Sequence, residues 1–456
     1  MSNAASRKGL SFLAALAFAC PGLPAGAFAV ALPVYLPNHY ASRLGVSLTT
    51  VGMVFMAVRL VDIPLDPVIG ALMDRSRTRF GRFRPWMLAS IPIFALAAYQ
   101  LFMAPAGIGP AYLAGWLLAF YVGYSILLLS HVSWASTITK GYDERSRIFG
   151  FIQVVSVAGA TAVLLLPALL AQVRPITGAA GLQTMGWFLI AMAPLGVLTA
   201  VARTPEPPPL SPHAERFALT EYWEMAVRPD MRRIIAADFC LYLGPGWMSA
   251  LYLFYFHDVR GFDLTRSNLL LMIYIAAGLV GAAVLSRLAM AFGKHRTLMV
   301  ASTGYALGLT GLSLLPKGNF LLVAPFMFLM GFLATSFILL DRAMVADVSD
   351  AVRLETGRQR IGVLYALVTS VQKVAGALSI GLTFALLGLV GYDPKAGAAN
   401  SPAAIHGLEL VFLSGPVVFV MLGGACYFGY RLDAKRHAEI RAELAARDAP
   451  APEPAG

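Results

Sequence analysis

Charge is what this sequence has least of. Of its 456 residues only 13% are Asp, Glu, Lys or Arg, against 58% that are hydrophobic. The mean hydropathy is +0.70. A soluble domain carries roughly 25% charge, so a chain this poor in it cannot clothe a globular surface, and a soluble enzyme or binding module is excluded. Cysteine is nearly absent too. Cys20, Cys240 and Cys426 are scattered through apolar runs, with neither a disulfide framework nor a metal-ligand spacing. Also missing are the segments of about ten residues with alternating polarity that mark a transmembrane β-barrel.

What the chain has instead is apolar runs long enough to cross a bilayer, which takes about 20 residues each. Twelve spans are predicted, at about 10–40, 49–72, 86–104, 110–138, 149–172, 180–202, 230–257, 267–290, 298–316, 320–347, 361–391 and 404–432. The fold class expected is an all-α membrane protein. Arg7 and Lys8 before an apolar run and AGAFA resemble a secretory signal. Hydrophobicity nevertheless continues past Ala29 to Tyr35, so the segment is read as the first span.

The formal charge of +11 is unevenly placed. One alternating set of connections holds Arg75, Arg77, Arg79, Arg82 and Arg84, then Lys140, Arg145 and Arg147, and further clusters at 203–233, 287–296 and 353–360. The other set holds only Arg43, Arg174, Arg260, Arg266, Lys317 and Lys395. Positive residues accumulate on the cytoplasmic side. The first set and both termini are therefore expected in the cytoplasm, with the protein in the inner membrane. The basic surplus then faces anionic lipid headgroups rather than nucleic acid.

Proline-dense RTPEPPPLSPHAER opens a polar interval at 203–229, read as a linker without helix or sheet. It separates an N-terminal half (1–202) from a C-terminal half (230–432), with a tail at 433–456 predicted as a short charged helix that fades into an Ala/Pro stretch. Two six-helix halves joined by a cytoplasmic linker are similar to the layout of the major facilitator superfamily, whose substrate site lies between the halves at mid-membrane.

The most unusual stretch is RLVDIPLDPVIG at 59–70. Asp62 and Asp66, at i and i+4, share one helix face, and an ionised Asp at mid-membrane costs roughly 2.5–3.5 kcal/mol. Such a pair is tolerable if it binds a cation, shares a proton or meets a buried positive charge. Arg59 and Lys373 are the candidate partners. A static salt-bridge cluster is the bland alternative, but buried ion pairs stabilise poorly and intramembrane charges mark ion pathways. Pro64 and Pro67 would free backbone carbonyls beside the acids.

RLVDIPLDPVIGALMDRSRTRFGRFRPW closely resembles the signature of the glycoside–pentoside–hexuronide:cation symporters, the branch of the major facilitator superfamily that includes the melibiose carrier. SWASTITKGYDERSR resembles that family's fourth-to-fifth connection, and ADVSDAVRLETGRQRIGVLYALVTSVQKVAGALSIGL its stretch from span ten into span eleven. The resemblance implies that Asp62 and Asp66 are the cation-site carboxylates, that Lys373 lies near them, and that Trp134 lines the substrate pocket. It further implies a cytoplasmic gate formed by Asp74, Arg75, Arg145, Arg147, Asp347, Asp350, Thr356 and Arg358. Topology-setting charge is the alternative for each of these arginines.

The chain also departs from the family. Where the melibiose carrier grips its sugar with acids in spans one and four and an arginine in span five, this chain has Gly26, Ser130 and Gln153. His131, Gln153, Asp238, Tyr242 and Asn38 are left as candidate polar groups for the substrate. Leu65 and Leu127 stand where further cation ligands are implied, although Ser125 and Ser130 are nearby. Few oxygens favour H+ over Na+, since hard cations prefer oxygen-rich cages.

The function expected is a cation-coupled (H+ or Na+) secondary symporter of a glycoside or sugar-like solute, with a bulkier amphiphile such as a lysolipid as the alternative cargo. It would work as a monomer with no cofactor beyond the coupling ion. A membrane prenyltransferase also uses DxxxD, but needs a second aspartate-rich motif. ADVSD at 346–350 is the one candidate, so an enzyme is not expected.

Overall fold

The computed structural model describes residues 11–76, 78–138, 142–173, 178–206, 219–358, 360–395 and 397–448. Among these the protein is helical, with one isolated bridge, Thr78 to Gly81, as its only β pairing. The first predicted span is a jointed helix: α1 (Phe12–Ala19), α2 (Gly22–Val30), a π-helical turn (Ala31–Tyr35) and α3 (Leu36–Ser42). Its joints fall at Pro21, Pro33 and Pro37, where the missing N–H and the ring interrupt the i to i−4 ladder. Then follow α4 (Leu48–Arg75), α5 (Arg84–Phe102), α6 (Pro110–Ile138), α7 (Tyr142–Val173) and α8 (Gly178–Arg203).

Within the interval read as a helix-free linker lies a helix, α9 (Leu219–Ala226). Its sequence, LTEYWEMA, comes after the last proline of the cluster, so nothing bars it from helix; residues 207–218 lie outside the described residues. Beyond it come α10 (Pro229–Phe254, continued by a π-turn at Tyr255–Val259), α11 (Leu264–Phe292), α12 (Lys294–Ser313), α13 (Phe320–Thr356), α14 (Ile361–Leu389), α15 (Pro402–Ala425) and α16 (Ala434–Asp448). The last is the charged tail helix.

Eleven of the twelve predicted spans are long and apolar enough to cross a membrane. The exception is α12. Its 20 residues suffice in length, but Lys294, His295 and Arg296 open it and Ser, Thr and Gly punctuate the rest. At 1.5 Å per residue the 37-residue α13 is about 55 Å long, well beyond a hydrocarbon core of about 30 Å. It therefore carries Asp347 and Asp350 towards one aqueous side.

Contacts divide the chain into two compact units by packing rather than by chain order. The first comprises Met1–His213, Ser249–Ile275 and Ile380–Val411. The second comprises Ala214–Met248, Ala276–Ser379 and Phe412–Gly456. In the first, α2 packs along α7, α5 against α6 and α8, and α4 against α6. Away from the basic connections, the Tyr35 hydroxyl donates to Asn268 Oδ1 on α11 at 2.5 Å, and Asn268 Nδ2 donates to the Leu164 carbonyl at 3.3 Å. In the second unit, α12 and α16 pack on α13.

Candidate cation and substrate site

The acid pair sits near the middle of α4. This helix starts where the Ser47 hydroxyl accepts from the Thr50 amide at 3.2 Å, and it runs unbroken through Pro64 and Pro67. The two prolines leave the carbonyls of Leu60 and Ile63 without their i+4 donors. Asp62 is fully buried. Arg59 Nη1 donates to its Oδ2 at 3.0 Å, and Ser125 Oγ, from α6, donates to its Oδ1 at 3.4 Å. Arg59 in turn lies over the ring of Tyr121, 4.5 Å from its centroid. Asp62 is thus a desolvated carboxyl paired with a guanidinium, which is itself held by an aromatic face. Asp66, one turn on, is half-buried. Leu65 packs into an apolar cluster with Ile69, Met73 and Ile126. Lys373 is half-buried on α14, in the second unit.

The other residues predicted for the substrate are placed as follows. Trp134 is fully buried in a cluster with Phe18, Phe83, Met87, Leu127 and Ile148, with Phe18 edge-on at 5.2 Å and the Arg84 guanidinium 5.7 Å from its ring. His131 Nε2 meets the Phe18 carbonyl at 2.8 Å, and Ser130 donates to the Ile126 carbonyl of its own helix at 2.6 Å. All three side chains are engaged in helix packing here. Gly26 is a crossing point: a Cβ there would lie 1.7 Å from the Ser156 carbonyl oxygen of α7. No acid could occupy the position without moving a helix. Gln153 is exposed on α7, and Tyr242 is half-buried on α10. Asp238 is buried and accepts from Gln372 Nε2 at 2.8 Å.

Of the gate residues, the side chains of Asp74 and Arg145 lie outside the described residues. Arg75 and Arg147 are exposed at helix ends. Asp347 is held by Lys294 at 2.6 Å and by His437 of α16 at 3.5 Å, and Asp350 meets the same imidazole at 3.0 Å. Thr356 caps the end of α13: its hydroxyl donates to the Val352 carbonyl at 2.7 Å and accepts from the Arg358 amide at 3.2 Å, while the Arg358 side chain is exposed.

Several partners were not foreseen. Glu206 accepts from the backbone amides of Arg82, Phe83 and Arg84 at 2.5, 2.8 and 3.3 Å. The loop presents these amides because Gly81 has φ +110°, and a Cβ there would collide with the Glu206 carboxylate. The glycine within RFGRFR is thus a cradle for an acid from the end of α8. Arg228–Glu355 (2.7 Å) and Arg360–Glu221 (2.9 Å) add two ion pairs within the second unit. Asp341, considered below, was overlooked because it stands alone in sequence.

A helical membrane bundle with a buried, arginine-balanced acid on its second span is the build of a transporter. The model of the family described as MFS/sugar transport protein matches residues 17–434. The chain belongs to that family, the glycoside–pentoside–hexuronide branch of the major facilitator superfamily; it is a multi-pass membrane transporter and not an enzyme. It is 27% identical over 411 residues to the lactose permease of Lactobacillus delbrueckii subsp. bulgaricus, covering 85% of this chain but only 64% of that protein. It is 25% identical over 425 residues to the isoprimeverose transporter of Lactiplantibacillus pentosus, covering 88% of this chain and 84% of that one. Among solved structures, the nucleoside transporter NupG superposes with a TM-score of 0.66 at 12% identity, over 92% of this chain and 98% of that one. A bacterial homologue of the human lysosomal transporter Spinster gives 0.64 at 14%, over 96% and 98%. These two likenesses concern the fold alone.

Proposed function

We propose that the protein is a cation-coupled symporter that carries a glycoside across the inner membrane by alternating access, with both termini in the cytoplasm. The observation that carries this reading is Asp62, buried to zero exposure and balanced by Arg59. A cation that binds Asp62 and Asp66 replaces the neutralising role of Arg59. The guanidinium is then released, or shifts towards Tyr121, and that rearrangement links ion occupancy to helix positions. Linkage requires that substrate raise the affinity for the ion by the same factor as the ion raises that for substrate.

Leu65 and Leu127, in place of polar ligands, favour H+ as the coupling ion, because Na+ needs several oxygens. The basic connections support the orientation. The hydrogen bonds of Tyr35 and Asn268, at the end away from those connections, would then close the outer side and have to break before substrate enters. The relatives named for lactose and isoprimeverose favour a glycoside as cargo, although Gly26 and Ser130 favour a hold different from the melibiose carrier's.

Uptake by whole cells or proteoliposomes under an imposed ion gradient tests the reading. Asp62→Asn and Asp66→Asn are expected to abolish gradient-driven accumulation while reaching the membrane at normal levels. Wild-type accumulation in either variant would refute the assignment. A thermal-shift screen of glycosides and lysolipids, with and without Na+ at two pH values, identifies cargo and ion, since a ligand that binds only the native state must stabilise it.

A further inference from the structure

The second unit contains another pair of buried acids, which the transport cycle above does not use. Asp238 on α10 and Asp341 on α13 are 3% and 0% exposed, and their carboxyl groups lie close enough to interact directly. One oxygen of each has an outside donor. Gln372 Nε2, from α14, donates to Asp238 Oδ1 at 2.8 Å, and the Tyr427 hydroxyl, just beyond α15, donates to Asp341 Oδ1 at 2.6 Å. The remaining oxygens, Asp238 Oδ2 and Asp341 Oδ2, are buried and receive no donor from any described residue.

Two ionised carboxylates buried side by side repel each other with little solvent to screen them. A buried acceptor without a donor also costs about 1–3 kcal/mol, and here there are two. One proton shared by the two carboxyls removes both difficulties: it makes one carboxyl a donor to the other and leaves a single charge, which Gln372 and Tyr427 stabilise. The same logic lets two close aspartates share a proton in aspartic proteases.

The surrounding titratable and charged groups are Arg342 next in sequence to Asp341, Tyr365 on α14, and Tyr427 and Tyr430 beyond α15. The Arg342 side chain is exposed rather than inserted between the acids. The Tyr430 hydroxyl is buried without a hydrogen-bond partner among the described residues. No described group therefore does for this pair what Arg59 does for Asp62.

We propose that Asp238 and Asp341 form a proton-binding site in the second unit, distinct from the Asp62/Asp66 pair and holding one proton between two carboxyls. Loss of that proton sets two negative charges face to face across α10 and α13. The packing of these helices with α14 and the end of α15 is then linked to pH.

Infrared difference spectroscopy on the full-length protein in lipid nanodiscs, stepped from acid to alkaline pH, tests this. The wild type should show the C=O band of a protonated carboxylic acid at neutral pH. In Asp238→Asn and Asp341→Asn that band should be lost or confined to lower pH. Tyr427→Phe, which keeps the shape but removes a donor to the charged form, should hold the band to higher pH. A band that persists unchanged in both Asn variants, or that titrates in Tyr427→Phe as in the wild type, would overturn the proposal. Asp62→Asn should leave this band in place while abolishing uptake, so failure here and failure of the symport reading are separately visible.

Discussion

Gly26 offers the sharpest test of whether helix packing alone keeps this position free of a side chain. An alanine Cβ there would lie 1.7 Å from the Ser156 oxygen, 2.5 Å from its carbonyl carbon and 2.9 Å from its Cα. Contacts below 3.0 Å are essentially not tolerated, so α2 and α7 would have to separate locally by about 1.3 Å. All three atoms are backbone, and no side-chain rotation relieves them. Overpacking costs typically about 1–3 kcal/mol, and a clash with backbone puts Gly26→Ala at the upper end, about 3 kcal/mol. For a chain of this length that lowers the unfolding midpoint by roughly 3 °C or more. Scanning fluorimetry of the purified protein in detergent reads it directly. Gly22→Ala, whose Cβ would sit 3.0 Å from the Ile152 oxygen, should fall between Gly26→Ala and the wild type. Gly150→Ala, on α7 with nothing within 4 Å, should be neutral or gain up to about 1 kcal/mol from helix propensity. Gly26→Asp should destabilise at least as much as Gly26→Ala and should add no affinity for melibiose. If Gly26→Ala unfolds like Gly150→Ala, or Gly26→Asp gains melibiose binding, the steric explanation is wrong.

Other perturbations read other parts of the molecule. Removal of the Tyr35–Asn268 hydrogen bond by Tyr35→Phe, worth about 1 kcal/mol, should raise the labelling rate of a cysteine placed at Asn38 about fivefold; an unchanged rate would mean that this contact does not hold its end of the bundle closed. Glu206→Gln weakens three amide contacts to a charged acceptor, about 1.5–3 kcal/mol for a bond of that kind, and should increase proteolysis of the 76–84 loop, whereas wild-type resistance would argue against the cradle. His437→Ala removes the contacts to Asp347 and Asp350, and amide exchange across α16 should accelerate by an order of magnitude or more. Equal exchange would show that the tail helix is held by its apolar face alone.

The hydrophobic segments were legible because a membrane imposes a length and a composition on each helix separately, a local property that survives without tertiary information. Eleven of the twelve predicted spans meet that standard, and α12 falls short only through the Ser, Thr, Gly and basic residues it carries. The α9 helix in the supposed linker was missed because proline density was averaged over an interval in which residues 213–228 contain no proline. Asp62 and Asp66 stood out as charges in an apolar run at helical spacing. Arg59 was legible as a partner for the same reason, being one turn away on the same helix.

Partnership across distance was another matter. That Glu206 would reach the amides after Gly81, that His437 would bind the acids of α13, and that Asp238 would face Asp341 depends on side chains more than 80 residues apart in sequence. Trp134, which the resemblance implies lines the pocket, and His131, a candidate polar group, both pack around Phe18 in the fold. By itself, then, the sequence determined that this is a helical membrane transporter with an acid pair in its second span, because hydropathy and charge placement act residue by residue. Only the tertiary structure decided which buried acid lies beside an arginine and which beside another acid, because that depends on what other helices bring alongside.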